Sequence, residues 1–308
     1  MYISLVGMNL VEGRVDGFRI LFAYFDDIVL GIATEIGPRI LYLGLKGKPN
    51  LNFFGVLPDA GRETPEGFWR IYGGHRLWTS PEALPRSYSL DDKPVKVESL
   101  DEEVKIYGNP EPENSVRKEI YVKRADEGGV EVIHRIVNIG RWPIKLSCWA
   151  LSVMRKDGFA ILPIEPCKID KEGLLPDRRI SLWPYTHLTD PRLKLSDRYI
   201  FVRQDPRIGM PFKIGVRANP TWVAYWVEGY VFMKIFEDRK GEYPDYGCNA
   251  EVYTNANMLE LETLSPLMEI DPLEVAEHKE VWKLAEVGLM KPEAMDVDEK
   301  LTRQLSIR

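Results

Sequence analysis

Gly247-Cys248-Asn249-Ala250-Glu251-Val252-Tyr253 and Met258-Leu259-Glu260-Leu261-Glu262-Thr263-Leu264 flank the polar tetrapeptide Thr254-Asn255-Ala256-Asn257. Side chains alternate across an extended strand, so Cys248, Ala250 and Val252 share one face, as do Leu259 and Leu261. Asn249, Glu251, Glu260 and Glu262 point the other way. The pattern is that of an antiparallel hairpin. With Thr254 to Asn257 as its loop, Glu251 is expected opposite Glu260, and Asn249 opposite Glu262. Like charges facing one another across a ladder are destabilising. Solvent, a basic neighbour, a metal or a shared proton has to offset them, so this hairpin is the first place to look for chemistry.

Outward from the hairpin, the chain continues in short runs rich in β-branched and aromatic residues. Phe18 to Tyr24 meets the Asp26-Asp27 turn and then Ile28 to Ala33. Val116 to Lys123 and Val130 to Asn138 flank Asp126-Glu127-Gly128-Gly129, a strong hairpin signal. Lys145 to Met154, Tyr199 to Gln204, Lys213 to Arg217, Tyr230 to Glu237 and Val275 to Leu284 continue the series. Helical periodicity is confined to the tail, where Glu293 to Ser306 predicts a short amphipathic helix. Strands without βαβ alternation predict an all-β fold of stacked antiparallel sheets, read as one domain over 1–308. The proline-rich stretch from Pro163 to Pro191 reads as a long loop, a common carrier of function on a rigid scaffold.

Composition narrows the function classes. Of 308 residues, 44% are hydrophobic and 29% charged, which suits a globular chain with a full core. A net charge of −6 gives no reason to expect a nucleic-acid partner. Cys148, Cys167 and Cys248 form no C-x-x-C pair, so neither a zinc site nor a disulfide framework is expected, and a reducing, cytoplasmic location fits. Met1 to Gly7 lacks the basic region of a signal peptide. The most apolar segment, Phe18 to Ile36, is broken by Asp26-Asp27, so no membrane span is expected. Glutamine occurs only at Gln204 and Gln304 amid many charges, a composition typical of hyperthermophile proteins. Phosphate-binding loops, dinucleotide fingerprints, nucleophile elbows and metalloprotease motifs are absent from the sequence, and no cofactor is expected.

Three segments taken together resemble the galactose mutarotase-like superfamily, in its aldose 1-epimerase-like branch. They are Gly73-Gly74-His75-Arg76-Leu77-Trp78 with Pro81-Glu82, then Asn138-Ile139-Gly140 through Trp149-Ala150-Leu151, and Tyr253-Thr254-Asn255 through Leu267. Gly37-Pro38-Arg39-Ile40 followed by Asn50 and Asn52 is similar to that family's first strands. The resemblance covers roughly residues 18 to 285 and rests on order and spacing, with no single diagnostic motif. It implies a β-supersandwich of many antiparallel strands with a sugar, monosaccharide or oligosaccharide, in a concave cleft. The family's epimerases interconvert α and β anomers of free aldoses. A glutamate takes the proton of the C1 hydroxyl while a histidine protonates the ring oxygen. Glu262, in Leu259-Glu260-Leu261-Glu262-Thr263 with Pro266 after it, matches the family's glutamate. The histidine position has no match, because Leu146-Ser147-Cys148-Trp149-Ala150-Leu151-Ser152 contains none.

The candidate site therefore has Glu262 as base and His75 as replacement acid. Arg76, Trp78, Asn249, Glu251, Glu260, Asp245 and His187 are the sugar-binding candidates. Most have a competing structural reading: a solvated sheet face for the glutamates, a hairpin turn with an Arg76–Glu82 ion pair for His75-Arg76, core packing for Trp78, loop packing for His187, and a turn residue after proline for Asp245. Trp183, beside His187, is a second candidate sugar platform. His134 and His278 read as structural histidines. Carboxylates two apart on one strand face sit about 6.5–7 Å apart, which also suits a glycosidase or lyase using Glu260 and Glu262. A non-catalytic sugar-binding protein lacking the acid is the other alternative. Glu251, Glu260 and Glu262 with Asn249 would also make an all-oxygen set for calcium or magnesium. No spacing motif supports such a set, so no metal is expected.

Overall fold

The computed structural model describes residues 10–167 and 169–302. Met1 to Gly7, and the last residues of the expected tail helix, lie outside the described residues. Within them, an 11-stranded and a 10-stranded antiparallel sheet pack face to face, with a two-stranded ribbon beside them. This is the stacked all-β architecture that the strand pattern predicts. Helix is confined to short pieces, among them Ala294–Val297, which continues as one wider turn to Thr302.

The Asp126 to Gly129 turn forms as expected: Arg124 pairs with Val130, and Gly128 and Gly129 take φ of 82° and 93°. A side chain at Gly129 would also meet the Trp282 carbonyl, so glycine is required there twice over. Among the described residues of the Pro163 to Pro191 stretch, Pro163 ends the strand Phe159–Pro163, Ile180–Leu182 is a short strand, and the rest is loop.

The middle of the larger sheet positions the site. Its neighbours run His75–Ser80, Ile144–Met154, Leu259–Leu264, Ala250–Thr254, Phe212–Val216. Because side chains alternate, each strand sends one set inward to the second sheet and the other into a cleft. Leu77, Ala250, Val252, Ile214, Leu259 and Leu261 join the inter-sheet core. The hairpin that opened the sequence reading is present, with its register moved by two residues. Glu251 faces Glu262 and Tyr253 faces Glu260, correcting the expected Glu251–Glu260 and Asn249–Glu262 pairs. The loop sets this register. Asn255 Oδ1 accepts from the Asn257 and Met258 amides, and Thr254 Oγ1 donates to the Met258 carbonyl, so the turn occupies Asn255 to Met258. A shift of two preserves which face each residue is on.

The core carries a buried polar network opposite the cleft. Lys234 Nζ lies 3.3 Å from Glu280 Oε1 and donates to the Ala150 and Leu261 carbonyls. Thr263 and the Trp282 indole also donate to Glu280. Beside it, His134 Nδ1 lies 3.0 Å from the His278 carbonyl, so in the neutral ring that nitrogen carries the proton. His134 Nε2 is then the acceptor for His75 Nε2 at 2.7 Å, and His75 Nδ1 accepts from Ser152 Oγ at 2.8 Å. Burial is the main force pushing all three histidines down, so they stay neutral.

Candidate functional site

The cleft is a lattice of side chains on one face of five adjacent strands. Arg76, Leu151, Glu262 and Glu251 stand directly across from one another in one row. Val153, Glu260, Tyr253 and Lys213 form the next, and Trp78 and Trp149 pair in the row on the other side. The ribbon Val56–Thr64 and Gly67–Gly73 walls one flank with Leu57, Arg62, Trp69 and Ile71. Tyr88 and Tyr185 add to the rim, and the open cleft measures about 510 Å³, within the range of small-molecule sites.

Two buried cations answer the acid-on-acid problem. Lys213 Nζ lies 2.8 Å from Glu251 Oε2 and 3.0 Å from Glu262 Oε2. It also sits 4.4 Å and 4.7 Å from the ring centroids of Trp149 and Trp183, close enough for cation–π attraction. Arg76 Nη1 lies 2.9 Å from Glu260 Oε1, and its guanidinium is 4.5 Å from the Trp78 ring centroid. Of the offsets open to the sequence, a basic neighbour is therefore present for each carboxylate.

Burial and the nearby carboxylates raise the pKa of Glu251 well above the ordinary range, against the pull of Lys213. Burial likewise raises Glu262, again opposed by Lys213 and assisted by Glu260. The two carboxyls titrate as a pair. Burial alone would lower Lys213, but Glu251 and Glu262 override it and hold its pKa well above the normal lysine value. Trp149 Nε1 donates to Glu262 Oε2 at 2.9 Å, a bond that favours the ionised carboxylate. Replacing Trp149 by Phe removes that donor and should raise the Glu262 pKa further. Carbon-13 titration of the glutamate carboxyls checks this, and an unchanged titration would reject it.

Opposite shifts on the two sides of the sheet make a pH prediction. The raised Glu251 and Glu262 favour the fold as pH falls towards the unfolded carboxylate value, and that effect is complete near pH 4.5. Glu280, whose pKa is pushed down to about 2, works the other way. Burial opposes its ionisation, but Lys234 and its other partners win, so its contribution is present above 4.5 and is lost as pH falls towards 2. His278, pushed down to about 3 by burial, stays neutral while the unfolded chain takes up a proton. Thermal unfolding should thus show the steepest stability loss between pH 4.5 and 3, up to ~2.7 kcal/mol per pH unit from these two groups. A flat profile there would contradict the assignment.

The structure brings together Glu262, Glu260, Arg76 and Trp78, all lining the cavity. Glu251 touches Lys213 but does not line it. Other candidates lie elsewhere. His75 is fully buried on the opposite face, held by Ser152 and His134. It neighbours Arg76 on one strand, and adjacent strand residues face opposite sides. Asn249 is spent on the Ala218 backbone, its Oδ1 accepting at 2.6 Å. Asp245 sits in a tight turn at φ of 53°, and His187 is exposed in its loop, outside the cavity. Sequence reasoning did not single out Lys213, Trp149 or Trp69, which line the cavity. The available signal for Lys213 was a lone charge within the apolar strand Phe212-Lys213-Ile214-Gly215-Val216.

Trp69 Nε1, Arg76 Nε and Glu262 Oε1 are buried around the cleft without a hydrogen-bond partner, while Arg76 Nη1, Glu260 Oε1 and Glu251 Oε2 are held only by their ion pairs. Buried polar atoms are ordinarily paired, so their grouping around one cavity makes it the candidate site for a polar ligand.

Solved structures place this fold. A galactose mutarotase-like protein from Lactobacillus casei aligns over 86% of this chain and 100% of its own, at TM-score 0.55 and 11% identity. A galactose mutarotase-like protein from Clostridium acetobutylicum aligns over 91% and 99%, at TM-score 0.52 and 9% identity. A protein from Synechocystis sp. PCC 6803 aligns over 93% and 100%, at TM-score 0.53 and 10% identity. No protein-family model matches the sequence, and no curated protein matches it. The chain has the galactose mutarotase-like fold, as its motifs imply.

Proposed function

We propose that the protein binds a sugar in this cleft and interconverts the α and β anomers of a free aldose, with Glu262 as general base. The observation that carries the reading is a cavity walled by tryptophans in which buried polar groups, among them the unpartnered Trp69 Nε1, Arg76 Nε and Glu262 Oε1, converge around Glu262. A sugar offers hydroxyls to such groups and C–H faces to the rings. The raised Glu262 pKa suits a base working near neutral pH. Arg76, fixed by Glu260 and Trp78, is a donor for ring or exocyclic oxygens.

A second reading, sugar binding without epimerisation, is favoured by one observation: among the described residues no histidine lines the cavity. Exchange NMR on α and β anomers across a panel of aldoses decides between them. Acceleration with at least one aldose is expected. Sugar binding without acceleration for any member establishes the second reading. Oligosaccharide hydrolysis dependent on Glu262 would instead favour a glycosidase or lyase.

A further inference from the structure

We infer that Lys213 is the proton donor to the ring oxygen, taking the part for which the cleft has no histidine; this rests on the epimerase reading above. Lys213 reaches the cavity from a strand far from the Glu262 strand in sequence, and its Nζ sits 3.0 Å from Glu262 Oε2. In a pyranose the C1 hydroxyl oxygen and the ring oxygen are both attached to the anomeric carbon. An acid and a base this close can address the two together.

The surroundings fix Lys213 in that place. Trp149 and Trp183 flank the ammonium, and Glu251, which does not line the cavity, holds it from beneath at 2.8 Å. Glu251 is thus a positioning residue that keeps a cation beside Glu262. Arg76 is the other fully buried cation in the cleft, but a guanidinium does not give up its proton. The high Lys213 pKa keeps it protonated in the resting site, matched to the strongly basic alkoxide that ring opening generates.

The step balances without a co-reactant. Glu262 accepts the C1 hydroxyl proton, and the O–H electron pair becomes the second bond of the C1 carbonyl. The C1–O5 bond breaks with its pair going to O5, and Lys213 delivers an Nζ proton there. A neutral amine is left beside a protonated Glu262. After rotation about C1–C2, the reverse transfers close the ring on the other face and restore both groups.

Wild-type protein, Lys213→Met and Lys213→Arg are compared by anomer-exchange NMR on the aldose the wild type turns over best, with sugar affinity followed by tryptophan fluorescence. Loss of a general acid is expected to lower kcat by about 10²–10⁴-fold in both variants, with sugar affinity retained. Lys213→Arg is the decisive variant and guards against misfolding of the methionine form, since it keeps the charge and the ion pairs yet cannot transfer the proton. Wild-type kcat in a folded Lys213→Arg protein overturns the proposal and leaves the epimerase reading standing. A fall confined to affinity, with kcat unchanged, also overturns it by making Lys213 a binding group. A wild-type protein that accelerates no aldose overturns both the epimerase reading and this one.

Discussion

Glu262→Gln is expected to lower kcat for anomer exchange by about 10²–10⁴-fold while sugar affinity is kept. Gln has nearly the shape of Glu, and its amide oxygen still accepts from Trp149 Nε1. Lys213 keeps Glu251 at 2.8 Å, so the cation is not stranded. What the amide cannot do is take a proton from a sugar hydroxyl. The neighbouring Glu260 is tied to Arg76, one residue pair further along the strand, and is not placed to substitute. The contrast with Glu260→Gln is informative, because there the expected loss is mainly in sugar affinity through a loosened Arg76. Wild-type kcat in Glu262→Gln would remove Glu262 as the base and with it the proposed mechanism.

The largest stability effect is expected on the other face of the same sheet. Lys234→Met should destabilise the fold by about 3–5 kcal/mol, because it strands a fully buried carboxylate. Both Lys234 and Glu280 have no solvent exposure. With the ammonium gone, Glu280 would retain only the Thr263 and Trp282 donors as strong partners, and the Ala150 and Leu261 carbonyls would lose a shared donor. Adding Glu280→Gln to Lys234→Met should recover part of the loss, since the charge disappears while an acceptor stays in place. Urea midpoints for the two single variants and the double variant test this coupling. A Lys234→Met protein within about 1 kcal/mol of wild type, the value typical of an exposed pair, would show that the ion pair is not the keystone of the inter-sheet core.

Much of the architecture was legible because β-strands report their faces through a period of two. That period placed Glu251, Glu260 and Glu262 together and set Val252, Leu259 and Leu261 against the core. It also held the means to separate His75 from Arg76, since neighbours on a strand cannot both enter one cleft. The hairpin register was less legible. Moving the turn from Thr254–Asn257 to Asn255–Met258 leaves every face unchanged, so hydrophobic pattern alone does not choose between the two. Hydrogen bonding by Asn255 and Thr254 does.

The sequence by itself determined an all-β chain, a hairpin with three glutamates on one side, and the position of Glu262 within it. Tertiary structure decided what those glutamates face. The strand carrying Lys213 lies next to Ala250–Thr254 in the sheet although it comes well before it in the chain. His75 finds its partners in Ser152 and His134, remote in sequence. Non-sequential strand order sets Lys213 beside the glutamates and Ser152 beside His75, and the packing of one sheet on the other brings His134 to His75. No local period records which distant strand will supply the cation, and that cation fixes the charge state of the cleft.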